Sequence, residues 1–319
     1  MKVLQITTNY PNPLNPIFGV FMKEQVESLE PFGVENTIFF SNGAKRKHGV
    51  IEHIKSIFKL QYHLLTHKYD LIHCHSVISG LILLLSSGAF FNKCVVSFQC
   101  DPQSGSDGRF FRKLYPWFNK LIVKLPGEYT NLEKVVYLPN GCNENVFKPM
   151  DKDECKRKLG LDLSKRYILF VDSNVGKKRT QKRRDRFDAT LDILRNKYGY
   201  DNLETLVLIG VKRENVPTYM NACELHLLVS DFEGSPNSVK ECVMCNVPIV
   251  STNVGNVQDM LSGVRNVYVS ESSEPEALAD KVDKVLSYNA EVSCREDLIN
   301  KGYSMAKVAE KLYKIYKEL

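Results

Sequence analysis

The strongest constraint on the fold is a repeated alternation between short apolar runs and longer amphipathic segments. In the first half the apolar runs are VLQITT, VENTIFF, YDLIHCHS, KCVVSF and VVYLP. Segments with helical patterning separate them, at about 20–32, 51–67, 77–91 and 109–125. Apolar runs rich in β-branched residues, separated by helices, indicate a parallel sheet that is covered on both faces. The first half therefore predicts a Rossmann-like domain.

The alternation restarts after a linker-like segment, FKPM, that ends near Pro149. The second set of apolar runs is YILFVD, ETLVLIG, ELHLLVS, VPIVST and VRNVYVS. A length of 319 residues suits two cores of about 150 residues each. We predict an α/β fold of two Rossmann-like domains with parallel sheets facing a central cleft: residues 1–149, residues 150–302, and a C-terminal helix, 303–319, that crosses back to the first domain. Open α/β sheets bind ligands at the carboxyl ends of their strands, so the cleft is the expected site.

Composition narrows the setting in which the protein works. The longest apolar run, Val77–Phe91, is shorter than the ~20 residues that a membrane span needs. The first residues, MKVLQITTNYP, lack the apolar region and the cleavage site of a signal peptide. Nine scattered cysteines, an odd number, suit a reducing compartment. We expect a cytoplasmic protein, and a peripheral position at the inner face of the membrane stays open.

Three short patterns resemble metal sites, and each has a simpler structural interpretation. Cys242 and Cys245 form a CxxC with no second pair, and we expect both to be small core residues. The DxD at Asp151–Asp153 precedes a helix, where a cap and surface charge are expected. His73 and His75 share a strand face without accompanying carboxylates, which favours structural or cleft-lining roles. The sequence therefore predicts neither a metal site nor a bound cofactor.

Positive charge is concentrated in one segment, although the net charge is only +6. Seven basic residues lie within ten positions: Lys177, Lys178, Arg179, Lys182, Arg183, Arg184 and Arg186. Such a cluster suits phosphate groups. The predicted helix at 109–125 is also basic and aromatic, which suits a lipid-linked acceptor at a membrane surface or a nucleic acid. We favour the lipid-linked acceptor and expect no nucleic-acid partner.

The segment EGSPNSVKE, Glu233–Glu241, carries the clearest functional pattern. Ser235 is predicted as a helix N-cap and Pro236 as the first helical residue, which leaves the following amides free. Free amides at a helix start bind phosphate or hydroxyl oxygens. Glu241 lies about 9 Å beyond Ser235 along the helix, at ~1.5 Å per residue. Two carboxylates are therefore expected to bracket an extended polar ligand.

This segment and its surroundings resemble a known family. EGSPNSVKE is similar to the E-x7-E region of retaining glycosyltransferases of family 4, and the flanking runs YMNACELHLLVSDFEGSPN and VKECVMCNVPIVSTNVGNVQDM extend the similarity over Tyr219–Met260. Weaker similarities are IFGVF, HCH, LPNG and the C-terminal helix. The branch with this form of the motif resembles enzymes that make bacterial capsule, exopolysaccharide or wall polymers.

The resemblance implies a GT-B fold and a metal-independent hexosyltransferase with retention at the anomeric carbon. The implied donor is a UDP- or GDP-linked sugar, and the implied acceptor is a glycan or a lipid-linked glycan. Carried over by position, Glu241 meets the donor ribose and Glu233 the donor sugar. The implied donor-binding residues are Gly19, Gly210, Gly234, Ser235, Pro236, Asn237, Ser238 and Glu241. The implied catalytic residues are Glu233, Gln99, Lys178 and Lys182.

Two departures from the family pattern keep alternatives open. The family usually has Gly-Arg where this chain has Asp172 and Ser173, so that Arg is absent. The lysine that relatives carry further along corresponds to Lys178 or Lys182, and Arg183 and Arg186 are further candidates to compensate for the missing Arg. Relatives commonly carry His at the position of Gln99, and glutamine donates a hydrogen bond but bears no charge. A catalytically silent nucleotide-sugar-binding subunit is therefore the first alternative. A UDP-sugar epimerase is the second and less favoured one, because it needs further acid and base residues.

Overall fold

A computed structural model of the protein shows two compact units. It describes residues 1–13, 18–41, 49–99, 105–172, 180–288 and 294–319. The first unit consists of Met1–Gly141 together with Met305–Leu319, and the second consists of Cys142–Ser304. Each unit contains one parallel sheet with helices around it, which is the predicted α/β architecture.

The sheet of the first unit has the order β2-β1-β3-β4-β5-β6. Its strands are β1 (Lys2–Thr7), β2 (Glu35–Phe40), β3 (Leu71–Cys74), β4 (Cys94–Phe98), β5 (Lys120–Val123) and β6 (Val135–Tyr137), and all neighbouring pairs are parallel. Every residue of β3 and β4 is buried, as expected of central strands that are covered on both faces. The carboxyl ends of β1, β3 and β4 lead directly into the polar residues Thr8, His75 and Gln99.

The helices of this unit are α1 (Val20–Glu27), α2 (Gly49–Thr66), α3 (Val77–Leu85), α4 (Gly105–Leu114) and the C-terminal α12 (Met305–Lys317). The apolar face of α12, which includes Val308 and Leu312, packs into the same core as Val3 and Val95. The last helix therefore belongs to the first unit, although the chain has passed through the second unit before it. Among the described residues, none of the helices has the length and apolar character required to cross a bilayer.

The predicted helix Arg109–Leu125 is wrong in its second half. The helix α4 ends at Leu114, and β5 begins at Lys120 and pairs with both β4 and β6. Pro116 lacks an N–H and cannot continue the helix, and the following KLIV is buried between two strands. The run was too short for its sequence pattern to distinguish a strand from a helix.

The sheet of the second unit has the order β11-β10-β9-β7-β8 and is also parallel. Its strands are β7 (Arg166–Val171), β8 (Leu203–Leu208), β9 (Leu225–Leu228), β10 (Ile249–Thr252) and β11 (Val267–Ser270). Its helices are α5 (Lys152–Lys158), α6 (Arg184–Tyr198), α7 (Val216–Asn221), α8 (Asn237–Met244), α9 (Val257–Leu261), α10 (Pro275–Ser287) and α11 (Cys294–Asn300). Two apolar cores lie within this unit, one of them around Leu169 and Val239 and the other around Phe170 and Leu191.

The boundary between the units lies at Gly141 and not near Pro149. Cys142 and Phe147 are buried in the core of the second unit, and the Cys142 amide donates to the Tyr303 carbonyl. The return to the first unit comes at Met305, whereas the sequence placed it at 303. Core contacts that fix these positions join residues far apart in the sequence, so a local linker pattern locates them only approximately.

Candidate functional site in the second unit

The start of α8 is the centre of the candidate site, and it differs from its sequence prediction by one residue. The helix begins at Asn237, and Pro236, with φ −65° and ψ 117°, is the capping residue. Ser235 is therefore not the N-cap, and Pro236, which is, provides no side-chain hydrogen bond to this helix start. The hydroxyl of Ser235 instead accepts a hydrogen bond from Lys240 Nζ at 3.1 Å. The helix start carries no side-chain cap that would compete with a bound anion.

Glu233 lies in the loop between β9 and α8, where a lysine and a serine hold one of its oxygens. Lys182 Nζ donates to Glu233 Oε1 at 2.6 Å, and the Ser230 hydroxyl donates to the same atom at 2.8 Å. Both charged side chains are largely buried, with 12% of the Lys182 side chain and 16% of that of Glu233 exposed. Of the described residues, these two contact Oε1 and leave Oε2 with lone pairs for a ligand.

Glu241 lies one helical turn beyond Asn237 and has a matching arrangement. Arg213 Nη1 donates to Glu241 Oε1 at 2.5 Å, and the Arg213 guanidinium lies 4.6 Å from the centre of the Phe147 ring. The ring face fixes the guanidinium plane, so the arginine is held in place before any ligand binds. Within the described part of the chain, Glu241 Oε2 remains available to accept two hydroxyls, such as those of a ribose.

Ser238, in the first turn of α8, is oriented by a buried histidine. His226 Nδ1 lies 3.0 Å from the Leu169 carbonyl, which only accepts, so Nδ1 carries the proton. His226 Nε2 therefore accepts from the Ser238 hydroxyl, 3.1 Å away. Burial lowers the pKa of His226 to about 4, so the ring is neutral at physiological pH. Because its hydroxyl proton is committed to His226, Ser238 presents oxygen lone pairs in the first turn.

The loop that carries Glu233 is held from behind by the turn after β10. Gly255 has a φ of +56°, and a Cβ there would lie 1.9 Å from the Gly234 carbonyl oxygen. The amide of the next residue, Asn256, donates to the same carbonyl at 3.1 Å. Only glycine permits this approach, so the Val-Gly turn has a defined task, which is to support the loop before α8.

The four basic residues of this segment that the structure describes each contact a carboxylate. Arg183 and Arg186 both contact Asp231, at 3.1 and 3.0 Å, and Arg184 contacts Asp188 at 2.7 Å. Lys182 is the member that lies beside Glu233. Lys178, the other predicted phosphate-binding lysine, lies outside the described residues together with Lys177, Arg179 and Ser173.

The remaining predicted site residues belong to other elements of the two units. Gly210 follows the edge strand β8, has a φ of +64° and is exposed. Gly19 and Gln99 belong to the first unit. Gly19, at φ +73°, lies directly before α1, where a Cβ would come within 2.4 Å of the Asn9 carbonyl oxygen. The Gln99 amide donates to the His75 carbonyl at 3.2 Å and accepts from Asn140 Nδ2 at 3.4 Å.

His73 and His75 lie in a buried polar network of the first unit. His73 contacts Tyr316 and Ser97, at 2.6 and 2.8 Å, and His75 Nε2 lies 2.7 Å from Gln5 Oε1. Burial, together with the nearby buried Lys124, lowers the pKa of His75 to about 3 and that of His73 well below its usual value. Across the described ranges there is no group of three or more His, Cys, Asp or Glu residues suited to a metal ion. Cys242 and Cys245 are buried in the core around Leu169 and Val239, and burial raises the pKa of both thiols.

Comparison with known proteins gives this site its context. Residues 195–305 match the family model described as "Glycosyl transferases group 1". The chain is 24% identical, over 87% of its length and 83% of the relative, to the UDP-Gal:alpha-D-GlcNAc-diphosphoundecaprenol alpha-1,3-galactosyltransferase of Escherichia coli. It superposes with a TM-score of 0.77 on the sucrose-phosphate synthase of Thermosynechococcus elongatus, at 13% identity and with 99% and 98% of the two chains covered. Residues 195–305 are therefore similar to group 1 glycosyltransferases, and the chain has the two-domain GT-B fold of the matched structure.

A further structure of this fold contains a nucleotide. HepE of Anabaena, in complex with UDP and glucose, superposes with a TM-score of 0.70, at 14% identity and over the full length of both chains. The matched region 195–305 contains all of α8 and the turn at Gly255. The group 1 glycosyltransferase match therefore covers the part of the chain in which the two carboxylates lie.

Sequence reasoning did not find several residues that shape the site. Arg213 and Lys240 contact Glu241 and Ser235, and His226 orients Ser238. Nothing in the spacing of Arg213 or His226 links them to α8, because both reach it through the fold. The sequence NVGN, which contains Gly255, was the one local indication of the turn that supports the loop before α8.

Proposed function

We propose that the protein is a retaining, metal-independent hexosyltransferase that moves a sugar from a UDP- or GDP-linked donor to a glycan or lipid-linked acceptor in surface polysaccharide synthesis. The observation that carries the proposal is the pair of carboxylates around the start of α8. Lys182 donates to Oε1 of Glu233, and Arg213 donates to Oε1 of Glu241. Within the described residues, Oε2 of each carboxylate remains open to a ligand. Two fixed acceptors on either side of a helix start match a nucleotide-sugar, which has hydroxyls at both ends and a diphosphate between them.

Each group then has a distinct task. Glu241 accepts the ribose hydroxyls, the first amides of α8 and Ser238 meet the donor, and Glu233 accepts a hydroxyl of the donor sugar. Lys182, 2.6 Å from Glu233, supplies positive charge to the leaving diphosphate, together with Lys178. The bond between the anomeric carbon and the phosphate oxygen breaks, and the acceptor hydroxyl bonds to the same face of that carbon. The hydroxyl proton passes to the leaving diphosphate. The roles of Gly19, Gly210 and Gln99 rest on the sequence resemblance.

The relatives suggest the chemical class of both substrates. The Escherichia coli relative is named for a UDP-linked galactose donor and a diphosphoundecaprenol acceptor, and HepE was solved with UDP. We therefore favour UDP as the nucleotide and a polyprenol-linked saccharide as the acceptor.

Nucleotide titration tests the proposal. We expect one of UDP and GDP to bind in a complex that survives EDTA, and Glu241→Ala to weaken it about tenfold through loss of charged hydrogen bonds. The matched control is Glu224→Ala, since Glu224 is also a largely buried carboxylate of this unit, paired with Lys152 at 2.6 Å. Glu233→Ala should reduce turnover more than nucleotide affinity. Absence of nucleotide binding in the wild type would overturn the proposal.

A second measurement separates the enzyme from a silent binding subunit. The wild-type protein is incubated with a panel of UDP- and GDP-sugars, and transfer and slow donor hydrolysis are followed by release of the nucleoside diphosphate. We expect release from one donor sugar above the level of the Glu233→Ala variant. Nucleotide binding without release from any donor contradicts the catalytic assignment.

A further inference from the structure

The outer face of α2, in the first unit, is exposed along its whole length and mostly apolar, with Gln61 as its one exposed polar residue. Its six exposed apolar side chains, with between 48% and 81% of each residue accessible, are Val50, Ile51, Ile54, Phe58, Tyr62 and Leu65. At 3.6 residues per turn they fall within an arc of about 120°, and the buried residues Ser56 and Leu60 lie on the opposite side. We call these six residues the α2 ridge. Single exposed apolar residues are common, whereas a continuous row of this length marks an interaction surface.

Further aromatic residues lie beside the end of this helix. The short turn after α3 packs against α2, since a Cβ on Gly88 would come within 2.6 Å of Leu64 Cδ1. This turn leads to Phe90 and Phe91, which are 53% and 85% exposed. Phe90 in turn contacts Trp117, with ring centres 4.8 Å apart. Exposed apolar surface therefore occurs both on the α2 ridge and on the turn that packs against the last residues of α2.

The charges that border the ridge are positive. Lys55 and Lys59 are exposed and occupy the next positions around the helix after Tyr62. Glu52 pairs with Lys55 at 3.1 Å in an exposed ion pair, which contributes little energy and leaves the lysine accessible. Helix α4, which packs beside α3, exposes Arg109, Arg112 and Lys113.

We propose that the α2 ridge docks on the surface of an anionic lipid bilayer. An amphipathic helix with an apolar face and flanking lysines lies in the plane of the interface, where its apolar side chains enter the acyl boundary. Each lysine near an anionic surface adds attraction, and aromatic residues suit the same depth. A second copy of the chain is the less fitting occupant, because two ridges with flanking lysines would bring like charges together.

This docking is a property of the first unit alone. The docking itself does not depend on the proposed function. The further step, in which the docked protein meets a lipid-linked acceptor at the membrane surface, rests on the proposed function. Vesicle binding requires neither donor nor acceptor, so failure of the docking and failure of the transferase assignment are distinguishable.

Vesicle flotation with the full chain tests the proposal. We expect binding to phosphatidylcholine vesicles that contain phosphatidylglycerol, and weaker binding at high salt. The double substitution Phe58→Ser with Leu65→Ser should lower the partition coefficient at least tenfold, since two large apolar contacts are lost. Lys55→Glu with Lys59→Glu should lower it about tenfold or more on anionic vesicles only.

The matched control removes similar exposed apolar area from the second unit. Leu163 and Tyr288 are 45% and 63% exposed, and Leu163→Ser with Tyr288→Ser should leave the partition unchanged. Circular dichroism and nucleotide titration establish that each variant is folded. The proposal is overturned if the wild type does not bind anionic vesicles or if the ridge variant binds as well as the wild type. A wild-type dimer in sedimentation velocity that the ridge variant converts to a monomer, without vesicle binding, would assign the ridge to a second copy instead.

Discussion

Lys240 holds an ammonium group in the interior of the second unit, next to the loop that precedes α8. The residue is 1% exposed, and its Nζ donates to the Ser235 hydroxyl at 3.1 Å. Burial lowers the pKa of Lys240 to about 8, and the nearby Glu241 opposes part of that effect. The charge costs folding energy where it stands. We interpret the buried ammonium as a group that orients the donor-binding loop, at a cost in folding energy.

Replacement of Lys240 separates the folding cost of its buried charge from its effect on nucleotide binding. Lys240→Met keeps the length of the side chain and removes the buried charge, so we expect thermal stability to be equal or higher. The Ser235 hydroxyl loses a charged hydrogen bond, which should weaken nucleotide binding by about tenfold in calorimetric titration. The control is Lys156→Met, because Lys156 is also buried in this unit but contacts the Lys165 carbonyl and Glu224. Unchanged affinity in Lys240→Met would assign this lysine a packing role only.

The residues of the candidate site show which contacts can be predicted from sequence and which cannot. Glu233 and Glu241 were identified because both lie in one continuous segment whose spacing is informative. Lys182 was one of two candidate lysines, and the structure places it beside Glu233. Arg213 lies on a turn before α7, and the packing of α7 beside α8 brings it to Glu241. Contacts of this kind depend on tertiary structure and leave no local pattern.

At the scale of elements, the turn at Gly255 and the loop at Glu233 form one supporting unit. We expect Gly255→Ala to displace the loop, because the added Cβ would overlap the Gly234 carbonyl in addition to straining a backbone at φ +56°. The free energy of unfolding should fall by at least about 2 kcal/mol, and nucleotide affinity should fall with it. Urea denaturation and UDP titration measure the two quantities.

A second glycine provides the control for backbone strain. Gly263 has a φ of +74°, and a Cβ there would meet nothing within 4 Å. Gly263→Ala should therefore cost only about 1 kcal/mol of stability and leave nucleotide affinity unchanged. Equal effects of the two substitutions on affinity would remove the assigned role of the Gly255 turn.

The elements that the sequence predicted well are those whose pattern has one interpretation. The runs that became β3, β4 and β9 are rich in Val, Ile or Leu and are fully buried, as the residues of central parallel strands are. The strand β5 was missed because KLIV continues the apolar pattern of α4, and its pairing with β4 and β6 decides its conformation. Before α8, Ser235 is of a residue type that often caps helices. Its hydroxyl, however, accepts a hydrogen bond from Lys240, and the helix begins at Asn237.

For the molecule as a whole, buried histidines link stability to pH. Burial lowers the pKa of His226 to about 4 and that of His75 to about 3, and it holds the pKa of His73 well below its usual value. Between pH 6.5 and these folded-state values, the unfolded chain binds protons that the folded chain does not. Stability is therefore fully present above pH 6.5 and is lost as the pH falls, by about 2 kcal/mol each for His226 and His75 between pH 7 and pH 5, and His73 acts in the same direction.

The two units should respond unequally, because His73 and His75 are in the first and His226 is in the second. The single tryptophan, Trp117, lies in the first unit, so its fluorescence follows that unit, whereas far-ultraviolet circular dichroism follows both. We expect urea denaturation at pH 7 and pH 5 to show a loss of about 2 kcal/mol from His75 in the fluorescence transition, with a further loss from His73. His226→Asn should remove about 2 kcal/mol of pH dependence from the second unit and leave the fluorescence transition unchanged. A first unit with no greater acid sensitivity than the second would contradict the neutral, buried state of His73 and His75.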